Sequence, residues 1–198
     1  TPEIEQVIRS GFVSILANAI DEAALNGSGS SSQPIGILNT SGIGSVAGGT
    51  NGLAPTLDHV IDLKKAVSID NADIANAAYV TNSKVEAVLS KLKDGNSAYH
   101  LSPYAGEIGK QQIASRRFEV TNAIPSNLTK GSGSNLSAIL YGNFRDLYVG
   151  MWGSLEILVD PYTDFAKGTT GVRAIQSIDI AVAHAESFAA MKDARAAS

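Results

Sequence analysis

The sequence predicts an α+β protein. Three observations carry that reading: a long opening run of helical periodicity, two shorter helical patterns separated by a strand, and a second half dominated by β-type residues. The chain has 198 residues, enough for one domain or two small ones with a proper core.

The opening helix runs from Pro2 to about Leu25. Thr1 suits the N-cap, Pro2 the first helical position, and Glu3 and Glu5 the positive end of the helix dipole. Ile4, Val7, Ile8, Phe12, Ile15, Leu16 and Ile20 recur at three- and four-residue spacing, which predicts one apolar face on which the later chain packs. Such a helix spans about 36 Å, a length that fits a spine. It exits through Asn26-Gly27-Ser28-Gly29, followed by Gln33-Pro34-Ile35-Gly36-Ile37-Leu38. Gly27 and Gly29 can take positive φ, while Pro34 biases Gln33 toward an extended conformation. Ile35 to Leu38 reads as a return to the core. A phosphate site is disfavoured, because this loop follows a helix end, where carbonyls point outward.

Ser41 to Ala54 holds five glycines and reads as a loop between subdomains. A second helix starts at Thr56, with Leu57, Val60, Ile61 and Val67 on one side. Asn71 to Asn76 is ambiguous. Ala77 to Thr81 reads as a buried strand, and Asn82 or Ser83 caps a third helix that turns Val85, Val88, Leu89 and Leu92 inward and ends at Asp94-Gly95-Asn96. After Tyr99-His100-Leu101, Arg116 to Ile124 alternates with Phe118 and Val120 inward. Pro125 to Asn135 is a polar loop and Ser137 to Phe144 a strand. Leu147 to Asp160 gives two more strands, broken at Gly150 or Gly153. Val172, Ile175, Ile178, Ile180 and Val182 carry the last strands, and the tail from Lys192 frays.

Composition narrows the function. The chain is 44% hydrophobic and 17% charged, so it folds. A net charge of −4 with a pI near 5.3 argues against a nucleic-acid footprint. Cysteine is absent, which excludes disulfides and thiolate chemistry. No apolar run approaches the roughly 20 residues of a membrane span.

No catalytic or cofactor motif stands out, and no cofactor or metal is expected. His59, His100 and His184 lack ligand spacing. Gly131-Ser132-Gly133-Ser134 is linker-like and no GxSxG elbow exists. Glu156, Asp160 and Asp164 cluster near a turn and could bind a cation or act as an acid/base pair if they converged; solvated carboxylates are the plainer reading. Arg116-Arg117, beside Lys110, could be an anion clamp, a contact to a neighbouring subunit, or a solvated strand start. Trp152, Tyr141, Tyr148 and Tyr162 read as core, with interface anchoring as the alternative.

The helix end carries a resemblance. Asp21-Glu22, then Ala24-Leu25-Asn26-Gly27-Ser28-Gly29, then Gln33-Pro34-Ile35-Gly36-Ile37-Leu38-Asn39 resembles the signature of tailed-phage major capsid proteins of the Hong Kong 97 type, in which a spine helix ends in an acidic residue, an NGDG-like turn and a QPxGIL segment. Ser28 departs from the Asp usual there, and both residues suit a turn. Ala77–Lys93 resembles the family's strand–asparagine–helix unit. Ala138–Phe144 resembles its strand ending in a glycine and an aromatic, and Val172–Ala183 its C-terminal strand pair.

The resemblance implies a capsid subunit of a phage or prophage, found in the virion and expressed in the bacterial cytoplasm. Its partners would be further copies of itself, as pentamers and hexamers, with no specific nucleic acid and no membrane. It implies a peripheral domain over 1–52 and 155–178, and an axial domain over 53–154 with a final strand and tail over 179–198. Structural turn residues would be Asn26, Gly27, Gly29, Gln33, Pro34 and Gly36; Arg116, Arg117 and Trp152 are candidate interface residues. The family's N-terminal arm and extended loop precede the spine helix. A chain opening at Thr1-Pro2 reads as a fragment or processed product, expected to fold without closing shells. Encapsulin-like nanocompartment shells share the implied fold and are the near alternative; an acid/base hydrolase using Glu156, Asp160 and Asp164 is the alternative from another class.

Overall fold

The computed structural model describes residues 2–72, 76–99, 112–163 and 165–196. Helix α1 (Pro2–Asn26) opens the chain. The short strand β1 (Gly44–Ser45) follows, then α2 (Leu57–Ile69), β2 (Ala78–Thr81), α3 (Ser83–Ser90), β3 (Gln112–Ile113), β4 (Arg116–Val120), β5 (Leu128–Lys130), β6 (Gly133–Gly142), β7 (Leu147–Asp160), β8 (Gly171–Val182) and β9 (Phe188–Arg195). The α+β class is as expected.

Seven strands form one mixed sheet in the order β1-β9-β6-β2-β4-β3, with β5 also on β6. β6 is its centre, antiparallel to β2 and to β9, whereas β2 runs parallel to β4. Both faces are covered, which explains why β6 reads as a continuous apolar run rather than an alternation. Ile139 and Tyr141 point to one side, where Val60, Leu63 and Val67 of α2 and Val85 and Leu89 of α3 pack. Ala138 and Leu140 point to the other, against Leu25, Ile37, Leu38 and Phe188. Tyr79 stacks on Tyr141 with centroids 4.3 Å apart and donates its hydroxyl to the Val60 carbonyl at 2.8 Å, fixing α2 on the sheet.

The helix caps follow from local chemistry. Thr56 and His59 form a reciprocal capping box at α2: Thr56 Oγ1 accepts from His59 N, and Thr56 N donates to His59 Nδ1 at 3.1 Å. Asn82 caps α3 by accepting from Val85 N at 3.1 Å.

Several expectations are corrected. α3 ends at Ser90; Asp94 instead organises a separate turn, its Oδ1 accepting from Asn96 and Ala98 N–H. Ile61 lies on the exposed side of α2 and Leu63 takes its place in the core. Val120, at the end of β4, is exposed. Ser41 to Ala54 is not wholly loop, because β1 pairs with β9. Residues 125–135 contain β5 and the start of β6, a polar hairpin in which backbone pairing, not side-chain pattern, makes the strand. Leu147 to Asp160 is one 14-residue strand, not two; Gly153, at φ +73, sits in a register shift between Trp152 and Glu156 that bends the pairing without ending it. Val172 to Val182 likewise lies on a single strand. The tail does not fray at Lys192: β9 continues to Arg195. Tyr148, Trp152 and Tyr162 are exposed, and only Tyr141 of the four aromatics is core. His100, Lys110, Asp164 and part of Asn71–Asn76 lie outside the described residues.

The largest correction concerns α1. The later chain packs along only part of it, through β8 and the Ile37–Asn39 turn. Val7, Val13 and Ile15 are 54–69% exposed, Phe12, Leu16 and Ile20 are half-buried, and only Ala24 and Leu25 at its end enter the core. β7 and β8 form a separate two-stranded ribbon; β8 is half-covered on alternate residues, with Ile180 buried, whereas Tyr148, Met151, Trp152 and Val159 of β7 are exposed.

Candidate functional site

The turn that ends α1 is built by hydrogen bonds that the sequence only hinted at. Gly27 N donates to Ala23 O at 2.9 Å, Gly36 N to Gly27 O at 2.9 Å, Gly29 N to Pro34 O at 3.2 Å and Gln33 N to Ser30 O at 3.0 Å. The segment folds back on itself with Ser28 opposite Ile35. Gly27 does not have positive φ; only Gly29 does, at +68°. Gly27 is needed for proximity. A Cβ there would lie 2.3 Å from Pro34 O, and one at Gly36 would lie 2.4 Å from Gly27 N. Gln33 is exposed and bonds Ser28 Oγ through Oε1 at 3.0 Å. Asn39, to which sequence reasoning gave no role, donates Nδ2 to Asn26 O at 3.1 Å and Gly27 O at 3.0 Å. It satisfies carbonyls that the helix end leaves open. Ile37 and Leu38 are buried as expected, whereas Ile35 is exposed.

The other candidate residues are not brought together. Arg116 and Arg117 lie on β4 of the large sheet, where Arg116 Nε donates to the Tyr141 hydroxyl at 3.2 Å and Arg117 pairs with Glu119 of its own strand. Trp152 stands on the ribbon. Glu156 and Asp160 are four residues apart along β7, about 13 Å by strand rise, and both project from an open strand. Asp160 accepts from the Thr163 hydroxyl, Tyr162 N and Thr163 N, which lower its pKa below the ordinary carboxylate value, away from what a general acid needs. His59 is a helix cap. Among the described residues no group of three His, Asp or Glu could hold a metal, and no helix is long and apolar enough to cross a membrane.

One buried polar group was missed altogether. The Asp193 side chain is 3% exposed; its carboxylate accepts from Gly48 N at 3.0 Å, Gly49 N at 3.4 Å and Lys130 Nζ at 2.5 Å, tying β9 to the glycine-rich loop and to β5. The signal was the small apolar run Ala189-Ala190-Met191 and Ala194, which suits a strand deep in a sheet.

What is left uncovered is the second feature. Tyr148, Met151, Trp152 and Val159 are 60–65% exposed on the ribbon, and Val7, Val13 and Ile15 are exposed on α1. A sheet packed on both faces, with a long helix and an apolar ribbon standing off it, is the Hong Kong 97-type architecture of shell-forming capsid chains. The chain belongs to the phage capsid family, whose model matches residues 1–193.

Individual relatives agree. A curated major capsid protein of Halomonas phage phiHAP-1 is 22% identical over 185 residues, covering 93% of this chain and 28% of that protein. The capsid chain of an empty GTA particle matches with a TM-score of 0.75 at 23% identity, over 97% of this chain and 67% of its own. A Microbacterium phage Oxtober96 chain matches with a TM-score of 0.70 at 15% identity, over 96% and 65%. The encapsulin of Synechococcus elongatus shares the fold at a TM-score of 0.65 and 14% identity, over 98% of this chain and 67% of its own. The chain thus spans little more than a quarter of the curated relative's length and about two thirds of the solved shell chains.

Proposed function

We propose that this chain is the shell-building part of a phage or prophage major capsid subunit, associating with copies of itself into pentamers and hexamers of a virion shell made in the bacterial cytoplasm. The observation that carries this is the uncovered apolar surface of the β7–β8 ribbon and α1. Tyr148, Met151, Trp152 and Val159 crowd one ribbon strand, and clustered exposed apolar side chains of this kind mark interaction sites. In that role α2, α3 and the seven-stranded sheet apart from its edge strand β1 support an axial body, nominally residues 53–154 and 179–198. Residues 1–52 and 155–178 support a peripheral one. The phage reading stands above the encapsulin one because the family match and the curated relative are both phage capsid proteins.

Trp152 is the strongest anchor on this surface, since large aromatics dominate interface energetics. Sedimentation velocity over a concentration series tests the proposal. Expected is concentration-driven association, weakened at least about tenfold by Trp152→Ala, as loss of a ~1.4–2 kcal/mol hot spot requires. A strict monomer at every concentration, or a variant that associates as the parent does, overturns it.

A further inference from the structure

The sequence holds two Asn-Gly pairs, Asn26-Gly27 and Asn51-Gly52, and the fold treats them differently. Asn26 closes α1, and the Gly27 N–H is engaged by Ala23 O at 2.9 Å. Asn51 is exposed in the loop before Leu53, its carbonyl accepting from Arg195 Nη2 at 2.9 Å; Gly52 is buried, but its N–H has no acceptor among the described residues. Asn51 Oδ1 accepts from the backbone N–H of Ser132 at 3.1 Å. We propose that Asn51 is a self-modification site, converting spontaneously to aspartate and isoaspartate, while Asn26 is protected.

The chemistry needs only water. Hydroxide reaching the loop from the exposed Asn51 side takes the Gly52 N proton, and the nitrogen attacks Asn51 Cγ; the Cγ–Nδ2 bond breaks and ammonia leaves with a proton from water, which regenerates hydroxide and closes a five-membered imide. Water then opens either imide carbonyl, leaving aspartate or isoaspartate, with no change of oxidation state. Negative charge develops on Oδ1 during the attack, and the Ser132 N–H already donates to that atom, as an oxyanion donor would. At Asn26 the same attack must first break the Gly27 hydrogen bond. That costs about 1–1.5 kcal/mol, or roughly tenfold in rate.

The two products differ in effect. Aspartate keeps an acceptor for Ser132 N–H. Isoaspartate inserts a methylene into the backbone next to Leu53, whose N–H donates to Asp193 O at 3.2 Å and whose carbonyl accepts from Arg195 N at 2.8 Å. The Leu53–Arg195 register is then lost.

The test is peptide mapping by mass spectrometry of the whole chain incubated folded at mildly alkaline pH, with isoaspartate scored by enzymatic methylation. A parallel incubation in denaturant and an Asn51→Gln variant serve as controls. Expected is conversion at Asn51 about tenfold faster than at Asn26 in the folded protein, a ratio near one in denaturant, and no conversion at position 51 in the Gln variant. Equal or faster conversion at Asn26 in the folded protein overturns the proposal. So does an Asn51 excess that persists unchanged in denaturant.

Discussion

Asp193→Asn removes one oxygen and one charge from the most buried ion pair described. The parent carboxylate receives Gly48 N–H on both oxygens at 3.0 Å and Gly49 N–H and Lys130 Nζ on Oδ2. An amide can face these donors with one oxygen only; its NH₂ then meets another donor. Hydrogen bonds to charged groups contribute about 1.5–3 kcal/mol each, and the Lys130 share is discounted because that side chain is 40% exposed. The expected loss is about 2–3 kcal/mol at neutral pH. Urea unfolding followed by circular dichroism measures it.

The pH dependence adds a second readout. Burial pushes the Asp193 carboxyl up, but the Lys130 hydrogen bond, the Gly48 and Gly49 N–H groups and the Lys130 charge outweigh it and hold it below the ordinary value of 3.8. A folded pKa below the unfolded one stabilises the protein above the unfolded value, and that contribution disappears as pH falls through the folded value. The gap between parent and variant should therefore be constant from neutrality down to about pH 4 and shrink below it. A variant within about 0.5 kcal/mol of the parent at neutral pH would refute the reasoning. So would a gap that persists undiminished in acid.

Two further substitutions test the fold that positions the turn and the sheet. Gly36→Ala places a Cβ 2.4–2.7 Å from three backbone atoms and should cost about 3 kcal/mol or more, whereas Gly11→Ala, with nothing within 4 Å on an exposed helix face, should stabilise by about 0.5–1 kcal/mol; thermal unfolding separates the two signs. Tyr79→Phe leaves the Val60 carbonyl without its buried donor and should lower stability by about 1–2 kcal/mol in the same urea assay with no change in α2 helicity.

Elements whose signal is local were readable from residues alone. The spine helix and its exit, the capped starts of α2 and α3 and the buried strand at Ala78–Thr81 each rest on periodicity or capping chemistry within a few residues, and each stands within a residue or two of its expected place. The turn signature also disclosed the family, because Gly27 and Gly36 are dictated by backbone atoms that approach too closely for any Cβ. Tertiary structure decided what depends on distant partners. Gly133 to Leu136 joins a strand because β5 and β9 lie beside it. Asp193, charged and near the chain's end, is buried because Lys130 and two backbone amides, far away in sequence, converge on it. Val7, Ile8 and Ile15 of the α1 stripe and the aromatics of β7 look like core in a sequence and remain exposed in the fold, while Phe12, Leu16 and Ile20 are half-buried. Hydrophobic patterning records that a surface avoids water, but only the arrangement of the whole chain decides whether its own residues cover it.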